Sequence, residues 1–301
     1  MMAIVDRVAG APITWGVCEV PGWGYQIAPD RVLKEIAAIG LTAIELGPEG
    51  YLPTDPHRLR EMLDSHGLRL AAGFVPAVLH KAARVEEELA AARRSADLLA
   101  AAGAEVLVVA AATGDADYER SAELGVDEWS TLSSGVDRII DIGGERGLSV
   151  ALHPHVGTII EGRGDIDRLL RSSPVSLCLD TGHVTIGGTD PLELAGSEPD
   201  RIAHVHLKDV DGRLAELVRR GEVGYEEAVG RGLYRPLGEG DVDVAGVVRT
   251  LEASGYHGWY VLEQDAVLAS APAPGAGPIR DATTSLEFLK EIARTENSFS
   301  T

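Results

Sequence analysis

Side chains that bind metals or transfer protons stand at the ends of four short apolar runs in this 301-residue chain. The runs end at His153-Pro-His, at Asp180-Thr-Gly-His, at His206-Leu-Lys and at Glu263. At neutral pH these residues offer anionic oxygens and neutral nitrogens, the donors that a divalent metal ion takes. A single such residue is usually a cap or a satisfied polar group, but four in succession predict a shared metal site.

The apolar runs alternate with helical patterns, which predicts βα units and a parallel sheet. Eight strands are expected, enough to close an α/β fold of the (β/α)8 TIM-barrel type, at residues 11–16, 42–46, 68–74, 105–111, 148–153, 175–180, 202–207 and 259–263. Active sites of such barrels lie at the C-terminal ends of the strands. The polar strand ends are therefore expected to face one another.

We predict one domain over residues 1–301, since a barrel needs about 250 residues and tolerates insertions. Residues 209–243, after the seventh strand, are too many for a simple loop, so a helical excursion over 213–229 is expected at the mouth. The Pro/Gly-rich segment 264–278 is interpreted as a loop before a last helix over 284–294. Residues 296–301 are expected to be a disordered tail.

Composition argues against several classes of protein. A formal net charge of −20 disfavours a nucleic-acid partner, because affinity for phosphates comes from Lys and Arg. No run approaches the roughly 18 to 20 apolar residues of a membrane helix, and the first ten residues lack a signal-peptide pattern. We therefore expect a cytoplasmic protein without a membrane partner. The two cysteines indicate no disulfide framework, and the absence of a phosphate-loop motif argues against a nucleotide cofactor.

Longer motifs resemble the xylose-isomerase-like TIM barrels of the sugar phosphate isomerase/epimerase type, and within them the inosose dehydratase branch. The strongest are His-Pro-His-Val-Gly-Thr158, Leu-Asp-Thr-Gly-His183, His-Val-His-Leu-Lys-Asp209, Pro-Leu-Gly-Glu-Gly-Asp241 and Gly-Trp-Tyr-Val-Leu-Glu-Gln-Asp265. The resemblance covers nearly the whole chain. It places the family's metal-binding Asp, His and Glu on Asp180, His206 and Glu263, and it implies one divalent ion (Mn, Co, Zn or Mg).

One family ligand does not carry over. Many relatives have a Glu-x-His pattern on the fifth strand, and alignment of that His with His153 puts Ala151 where the Glu should be. We expect His153 to take over the coordination, because residues two apart share a face of a strand. His155 and Glu161, in the loop that follows, are the alternatives.

The resemblance implies an enzyme of carbohydrate metabolism that removes a proton next to a carbonyl. We expect a lyase similar to inosose dehydratase, since several imidazoles beside the metal suit protonation of a departing hydroxide. The alternative, a sugar (phosphate) isomerase or epimerase, usually uses two opposed Glu residues, and here Glu263 alone has an obvious place on the metal. Ala151 supports a second alternative, a sugar-binding barrel without activity. The expected partner is a small sugar or cyclitol, and a homo-oligomer stays open.

Proton transfers are assigned to His155, His183 and Lys208. His183 lies three residues beyond Asp180, and a helix-end hydrogen bond is the competing interpretation. Lys208 follows His206 by two residues and points the same way. Its ammonium is costly near a cation unless Asp209 or a substrate oxygen compensates, so we expect a depressed pKa and a role as an acid.

Four further side chains are candidates for substrate contact. Glu45, at the end of the second strand, is expected to contact a substrate hydroxyl, with the second carboxylate of an isomerase or epimerase as the competing interpretation. Glu161 is a candidate from the loop after the fifth strand. Arg235 could contact a polar substrate or form a surface ion pair. Trp15 is expected as an apolar wall for a ring, with burial in the core as the competing interpretation.

Overall fold

The computed structural model describes residues 4–299, and side chains through residue 295, as a parallel barrel surrounded by helices. In this part of the chain the barrel strands are β1 Val8–Gly10, β2 Ala43–Ile44, β3 Arg69–Leu70 with Ala72–Ala77, β4 Val106–Ala111, β5 Ser149–Leu152, β6 Ser176–Asp180, β7 Ile202–Leu207 and β8 Tyr260–Leu262. They pair in parallel in sequence order, and β8 pairs with β1. The predicted TIM barrel is confirmed.

The barrel closes at Ala71, which divides β3. Residues before it pair with β2, and residues after it pair with β4. The Ala71 amide donates to the Ile44 carbonyl at 2.9 Å, and the Ala71 carbonyl accepts from the Glu105 amide at 3.2 Å. The strand predicted over 68–74 is present but continues to Ala77, and it changes partner at Ala71 because the strands of a closed barrel are tilted.

The first strand was predicted too late in the sequence. The segment Pro12–Trp15 is a 3-10 helix that follows β1 and ends at Gly16, whose φ is 75°. Pro12 has no amide hydrogen for a sheet ladder, and its fixed φ suits the start of a helix. The prediction of a strand over 11–16 is therefore wrong. The turn also directs Trp15 into the core, where its Nε1 donates to Glu35 at 2.7 Å.

Helices surround the barrel, and none within residues 4–299 is both long and apolar enough to cross a membrane. They are α1 Pro29–Ala38, α2 Pro56–Asp64, α3 Val85–Ala102, α4 Val126–Gly144, α5 Arg163–Ser172, α6 Thr181–Ile186, α7 Pro191–Ser197, α8 Gly212–Arg219, α9 Tyr225–Gly230, α10 Val244–Ala253 and α11 Pro278–Phe299. Most of these helices pack on the barrel through buried apolar residues, whereas α8 and α9 contribute theirs to a separate cluster.

The excursion after β7 contains two helices, α8 and α9, in the region where a helical excursion over 213–229 was predicted. Gly221, with a φ of 67°, lies in the turn between them, and a left-handed backbone cannot continue a right-handed helix. A short antiparallel pair, Asp209–Val210 with Tyr234–Arg235, closes the base of the excursion. It therefore stands over the mouth as a compact unit.

The last helix is longer than the predicted 284–294. Its backbone continues to Phe299, through most of the segment expected as a disordered tail, and residues 300–301 lie outside the described part. Its first residue, Pro278, ends the Pro/Gly-rich loop that follows β8. Proline suits the first turn of a helix because the amide hydrogen it lacks would have no intrahelical partner.

Small apolar side chains fill the barrel under its mouth. They include Ala72, Val106, Val108, Ala151 and Cys178, all at most 5% exposed. Residues two apart share a face of a strand, so Ala151 lies below His153 and Cys178 below Asp180. A packed apolar floor thus supports the polar strand ends.

Arg7 ties the start of β1 to the chain around β8. Its guanidinium donates to both carboxylate oxygens of Glu252 at 2.6 and 2.8 Å. It also donates to the carbonyls of Tyr256 at 3.2 Å and Gly258 at 3.0 Å. Because Arg7 is 6% exposed, its removal would leave several acceptors without a partner.

We therefore expect Arg7→Met to lower the free energy of unfolding by about 2 to 4 kcal/mol. Urea denaturation measures this value. Arg138→Met is the matched control, since Arg138 and Glu86 form an exposed bidentate pair and its loss should leave the free energy of unfolding close to that of the parent protein. Equal losses for the two variants would contradict the role given to Arg7.

Candidate active site

A cleft of about 620 Å³ opens at the C-terminal ends of the strands. Apolar walls come from Pro12, Ile13, Val17, Trp23 and Phe74. The polar lining includes Glu45, His153, His155, His206, Lys208, Glu263 and Asp265. An apolar cleft with a few converging polar groups is the usual form of a small-molecule site.

The two carboxylate oxygens of Asp180 have different roles: one caps a helix, and the other has no hydrogen-bond partner among the described residues. It is the last residue of β6 and the N-cap of α6, where Oδ1 accepts from the amides of Gly182 at 2.9 Å and His183 at 2.8 Å. Oδ2 has no hydrogen-bond partner among the described residues. The cap fixes the carboxylate, so its second oxygen is held toward the cleft.

His206 is anchored in a similar way, through one of its two ring nitrogens. Nε2 lies 3.1 Å from Glu45 Oε1. Nδ1 lies 3.2 Å from Glu263 Oε2 and 3.6 Å from Asp180 Oδ2, yet it has no hydrogen bond within the described chain. Because a carboxylate oxygen can only accept, the contact with Glu45 makes Nε2 the donor.

Asp180, His206 and Glu263 converge as predicted, with ligand atoms within 4.8 Å of one another. In the neutral ring His206 Nδ1 carries a lone pair, so three electron-pair donors face a common point. Ligands bound to one ion at about 2.1 Å lie roughly 3.0 to 3.4 Å apart, close to the distances observed. The three side chains fit a divalent cation.

His153 approaches the same place from β5. Its Nδ1 lies 2.8 Å from the Pro154 carbonyl and must donate to it, so Nε2 is the free nitrogen. That Nε2 lies 3.4 Å from Asp180 Oδ2. The structure thus brings the free nitrogen of His153 next to Asp180.

Negative charge exceeds positive charge in the cleft. Among the described residues it gathers the carboxylates of Glu45, Asp180, Glu263 and Asp265 and the ammonium of Lys208, all at most 9% exposed. Unbalanced charge in a buried site costs several kcal/mol per ion. Burial alone would lower the pKa of His206, but Cys178, Glu263 and Glu45 raise it well above its usual range. A proton on the His206 ring, or a cation between Asp180, His206 and Glu263, would reduce this excess of negative charge.

The expected depressed pKa of Lys208 is wrong. Burial alone would lower it, but Asp180, Asp265 and Glu263 outweigh burial and raise the pKa well above its usual value. Nζ lies 2.7 Å from Asp265 Oδ1, 3.0 Å from Glu263 Oε2 and 3.4 Å from Asp180 Oδ2. Lys208 is therefore a retained ammonium in this structure.

Asp209, one of the two groups that could have compensated Lys208, binds backbone amides instead. Its Oδ2 accepts from the amides of Gly238 at 2.9 Å and Gly240 at 3.0 Å, and its Oδ1 accepts from Val242 at 3.0 Å. A side chain at Gly240 would collide with this carboxylate, since a Cβ there would lie 2.2 Å from Oδ1. Asp209 thus organises the Gly-rich turn after the excursion.

His155 and His183 form a stacked pair, with ring centroids 3.7 Å apart. His155 Nδ1 lies 2.7 Å from the Val156 carbonyl, so Nε2 is its free base. Burial is the main cause that lowers the pKa of both rings well below the usual range. His155 lines the cleft, whereas His183 lies behind it with Nε2 3.1 Å from Lys208 Nζ.

Several residues of the cleft were missed by the sequence reasoning. Asp265 accepts from the Tyr225 hydroxyl at 2.7 Å, and Tyr225 in turn lies 2.9 Å from the Tyr234 hydroxyl. The spacing of Asp265 from Glu263, two residues on one face, could have identified it. Tyr225 and Tyr234 come from the excursion, whose packing no local pattern predicts.

Three predicted substrate contacts lie away from the cleft. Trp15 is buried in the core, so that the apolar wall is formed instead by Trp23. Arg235 pairs with Asp211 at 3.0 Å on the surface. Glu161 accepts from the Gly157 amide at 3.1 Å and faces a separate outer cavity, because α5 begins directly after it and turns the chain outward.

The loop after β4 covers the histidine pair. Tyr118 stacks near His155, with centroids 4.3 Å apart, and its hydroxyl donates to Glu19 at 2.5 Å. Its backbone passes so close to Gly157 that a Cβ there would lie 2.1 Å from the Tyr118 carbonyl oxygen. Glycine at 157, with a φ of 71°, is therefore required for the loop to lie on the site.

The chain forms a parallel barrel whose strand ends bring carboxylates and imidazoles together in one cleft. The family model described as xylose isomerase-like TIM barrel matches residues 33–292. The chain belongs to this family.

Individual relatives agree with the family assignment. The chain is 36% identical over 270 residues to the inosose dehydratase of Geobacillus kaustophilus (strain HTA426), covering 86% of this chain and 87% of that protein. Two solved structures share the fold. L-ribulose 3-epimerase has a TM-score of 0.71 at 17% identity, covering 100% of this chain and 98% of that one. The probable 3-DHS dehydratase AsbF of Bacillus anthracis has a TM-score of 0.70 at 15% identity, covering 94% of this chain and 98% of that one.

We expect Gly157→Ala to displace the Tyr118 loop. Limited proteolysis should cut residues 114–124 faster than in the parent protein, because the added Cβ cannot coexist with the Tyr118 backbone. Gly147→Ala is the matched control, since Gly147 has the same φ of 71° but open space around it. It should lose about 1 to 2 kcal/mol of stability from backbone strain and leave the cutting rate unchanged. Equal cutting of both variants would contradict the contact.

Proposed function

We propose that the protein is a divalent-metal-dependent dehydratase acting on a sugar or cyclitol ketone. The observation that carries this proposal is the convergence of Asp180, His206 and Glu263 beside a neutral imidazole, His155, in one cleft. Similarity to inosose dehydratase over 86% of the chain supports the choice of reaction.

Asp180, His206 and Glu263 would hold the metal, with His153 as the fourth ligand. Each reaches the site from a different strand end, so the barrel keeps the set together. A bound divalent ion would supply electrostatic stabilisation of the negative charge that develops when a proton next to a carbonyl is removed. Two carboxylates and two imidazoles would leave that ion and its ligands neutral overall.

The chain's own residues would move the protons. His155 Nε2 would take the proton from the carbon beside the carbonyl, since it faces the cleft and is neutral. The electrons of that C–H bond form a C=C bond to the next carbon, and the C–O bond between that next carbon and its hydroxyl breaks. The hydroxide needs a proton to leave as water, and Lys208 is the ammonium that lines the cleft. His183 Nε2, 3.1 Å from Lys208 Nζ, would exchange a proton with Lys208, and its ring, stacked on His155, would hold that imidazole in place.

Isomerisation or epimerisation is the alternative, and it would use a second free carboxylate. Glu45 is committed to hydrogen bonds with His204 and His206, which leaves it poorly placed to exchange protons with substrate. A non-catalytic barrel is the second alternative. Its support was Ala151, which lies in the apolar floor, but His153 occupies the position above.

The test is turnover by the Mn²⁺- or Co²⁺-loaded protein on a panel of inososes, ketohexoses and their phosphates. A product that has lost water, seen by mass and by the absorption of a conjugated ketone, is expected. A product of unchanged mass from the same panel would assign the protein to the isomerases or epimerases. Absence of turnover with metal bound would favour the binding protein.

We expect His155→Ala, His183→Ala and Lys208→Ala each to lower turnover about 10²- to 10⁴-fold, because each removes a group that carries a proton. Metal content, measured by elemental analysis, should be retained. His57→Ala, on the exposed side of α2, is the control and should behave as the parent protein. Parent-like turnover in the Lys208 variant would exclude it as the acid.

We expect His153→Ala to weaken Mn²⁺ binding by about ten-fold or more, since it removes a ligand adjacent to Asp180. Glu161→Gln should bind Mn²⁺ as the parent does, because Glu161 faces the outer cavity. Titration calorimetry measures both affinities. The reverse order would show that Glu161 is the fourth ligand.

A further inference from the structure

Glu45 is a buried carboxylate that the proposed proton transfers do not use. It directly follows β2, lines the cleft and is 3% exposed. One of its oxygens, Oε1, lies 2.7 Å from His204 Nε2 and 3.1 Å from His206 Nε2. Burying a carboxylate is costly unless it is paired and hydrogen-bonded, and His204 and His206 supply these contacts to Glu45.

Both imidazoles present the same nitrogen to Glu45. His204 and His206 are two residues apart on β7 and point to the same face. A carboxylate oxygen cannot donate, so each Nε2 carries a hydrogen toward Oε1. For His206, a hydrogen on Nε2 leaves Nδ1 as the nitrogen with the lone pair in the neutral ring. That Nδ1 lies beside Asp180 and Glu263.

We propose that Glu45, braced by His204, positions His206 as a metal ligand through Nδ1. Glu45 sets the ring rotation and the tautomer of His206, and His204 keeps the Glu45 carboxylate from turning away. Ligating histidines commonly need such a carboxylate on their other nitrogen. The inference rests on the metal of the proposed function and replaces the substrate contact that the sequence suggested for Glu45.

Two other roles for Glu45 predict different behaviour. As a substrate contact it would affect KM and leave metal affinity unchanged. As a ligand of a second ion, together with His204 and His206, it would change the number of ions bound, since those three side chains also lie within 4.8 Å of one another. The contacts of 2.7 and 3.1 Å are ordinary hydrogen-bond lengths, which favours the positioning role.

The experiment is Mn²⁺ titration of the metal-stripped full chain by calorimetry. Glu45→Gln keeps the shape of the side chain and removes its charge, and we expect a Kd about 10- to 100-fold weaker at an unchanged stoichiometry of one. The matched control is Glu35→Gln, another buried carboxylate that accepts hydrogen bonds, from Trp15 and Arg31 outside the cleft. Its Mn²⁺ Kd should equal that of the parent.

His204→Gln gives an independent variant, with an expected weakening in the same direction but smaller. The visible spectrum of the Co²⁺-loaded protein adds a readout that a merely structural role would not move, and Glu45→Gln should shift its bands while Glu35→Gln does not. An unchanged Kd and spectrum in Glu45→Gln would overturn the inference, as would loss of one of two bound ions. Failure of the parent chain to bind Mn²⁺ would instead overturn the proposed function.

Discussion

Charge balance at the barrel mouth is the constraint on which the rest of this site depends. Four carboxylates and one ammonium lie at most 9% exposed among the described residues of the cleft, in surroundings where unpaired charge costs several kcal/mol. The apolar floor below, with Ala151 and Cys178, offers nothing that could balance them. The site is therefore built to receive positive charge, and the imidazoles around it supply nitrogen donors rather than further anions.

The same anchoring principle recurs in Asp180 and His206. Asp180 uses Oδ1 to cap α6 and directs Oδ2 into the cleft. His206 uses Nε2 to bind Glu45 and directs Nδ1 into the cleft. In each case one atom is fixed by the fold and the other is left unsatisfied, so the site is preorganised before anything binds. Preorganisation of this kind lowers the cost of assembling ligands and reacting groups.

The sequence predicted the barrel and the residues at its strand ends, because both follow from periodicity. Asp180 and His206 end apolar runs, and parallel strands bring such ends together whatever the loops do. The residues that the sequence did not reveal depend on tertiary packing. Tyr118 reaches His155 because its loop crosses Gly157, and Tyr225 reaches Asp265 from the excursion. Trp15 was misplaced because Pro12 converts an apolar run into a helical turn.

Lys208 shows why a charge cannot be interpreted from its nearest sequence neighbours. Its pKa was expected to be depressed by a nearby cation unless Asp209 or a substrate oxygen compensated. Asp209 instead binds the backbone of the Gly-rich turn. The carboxylates around Lys208 Nζ are those of Asp180, at the end of β6, and of Glu263 and Asp265, just after β8. A lysine so placed gives up a proton only when the charge around it changes, as when a leaving hydroxide forms nearby. That coupling makes Lys208 better suited to protonate a departing group than to remove a proton from carbon.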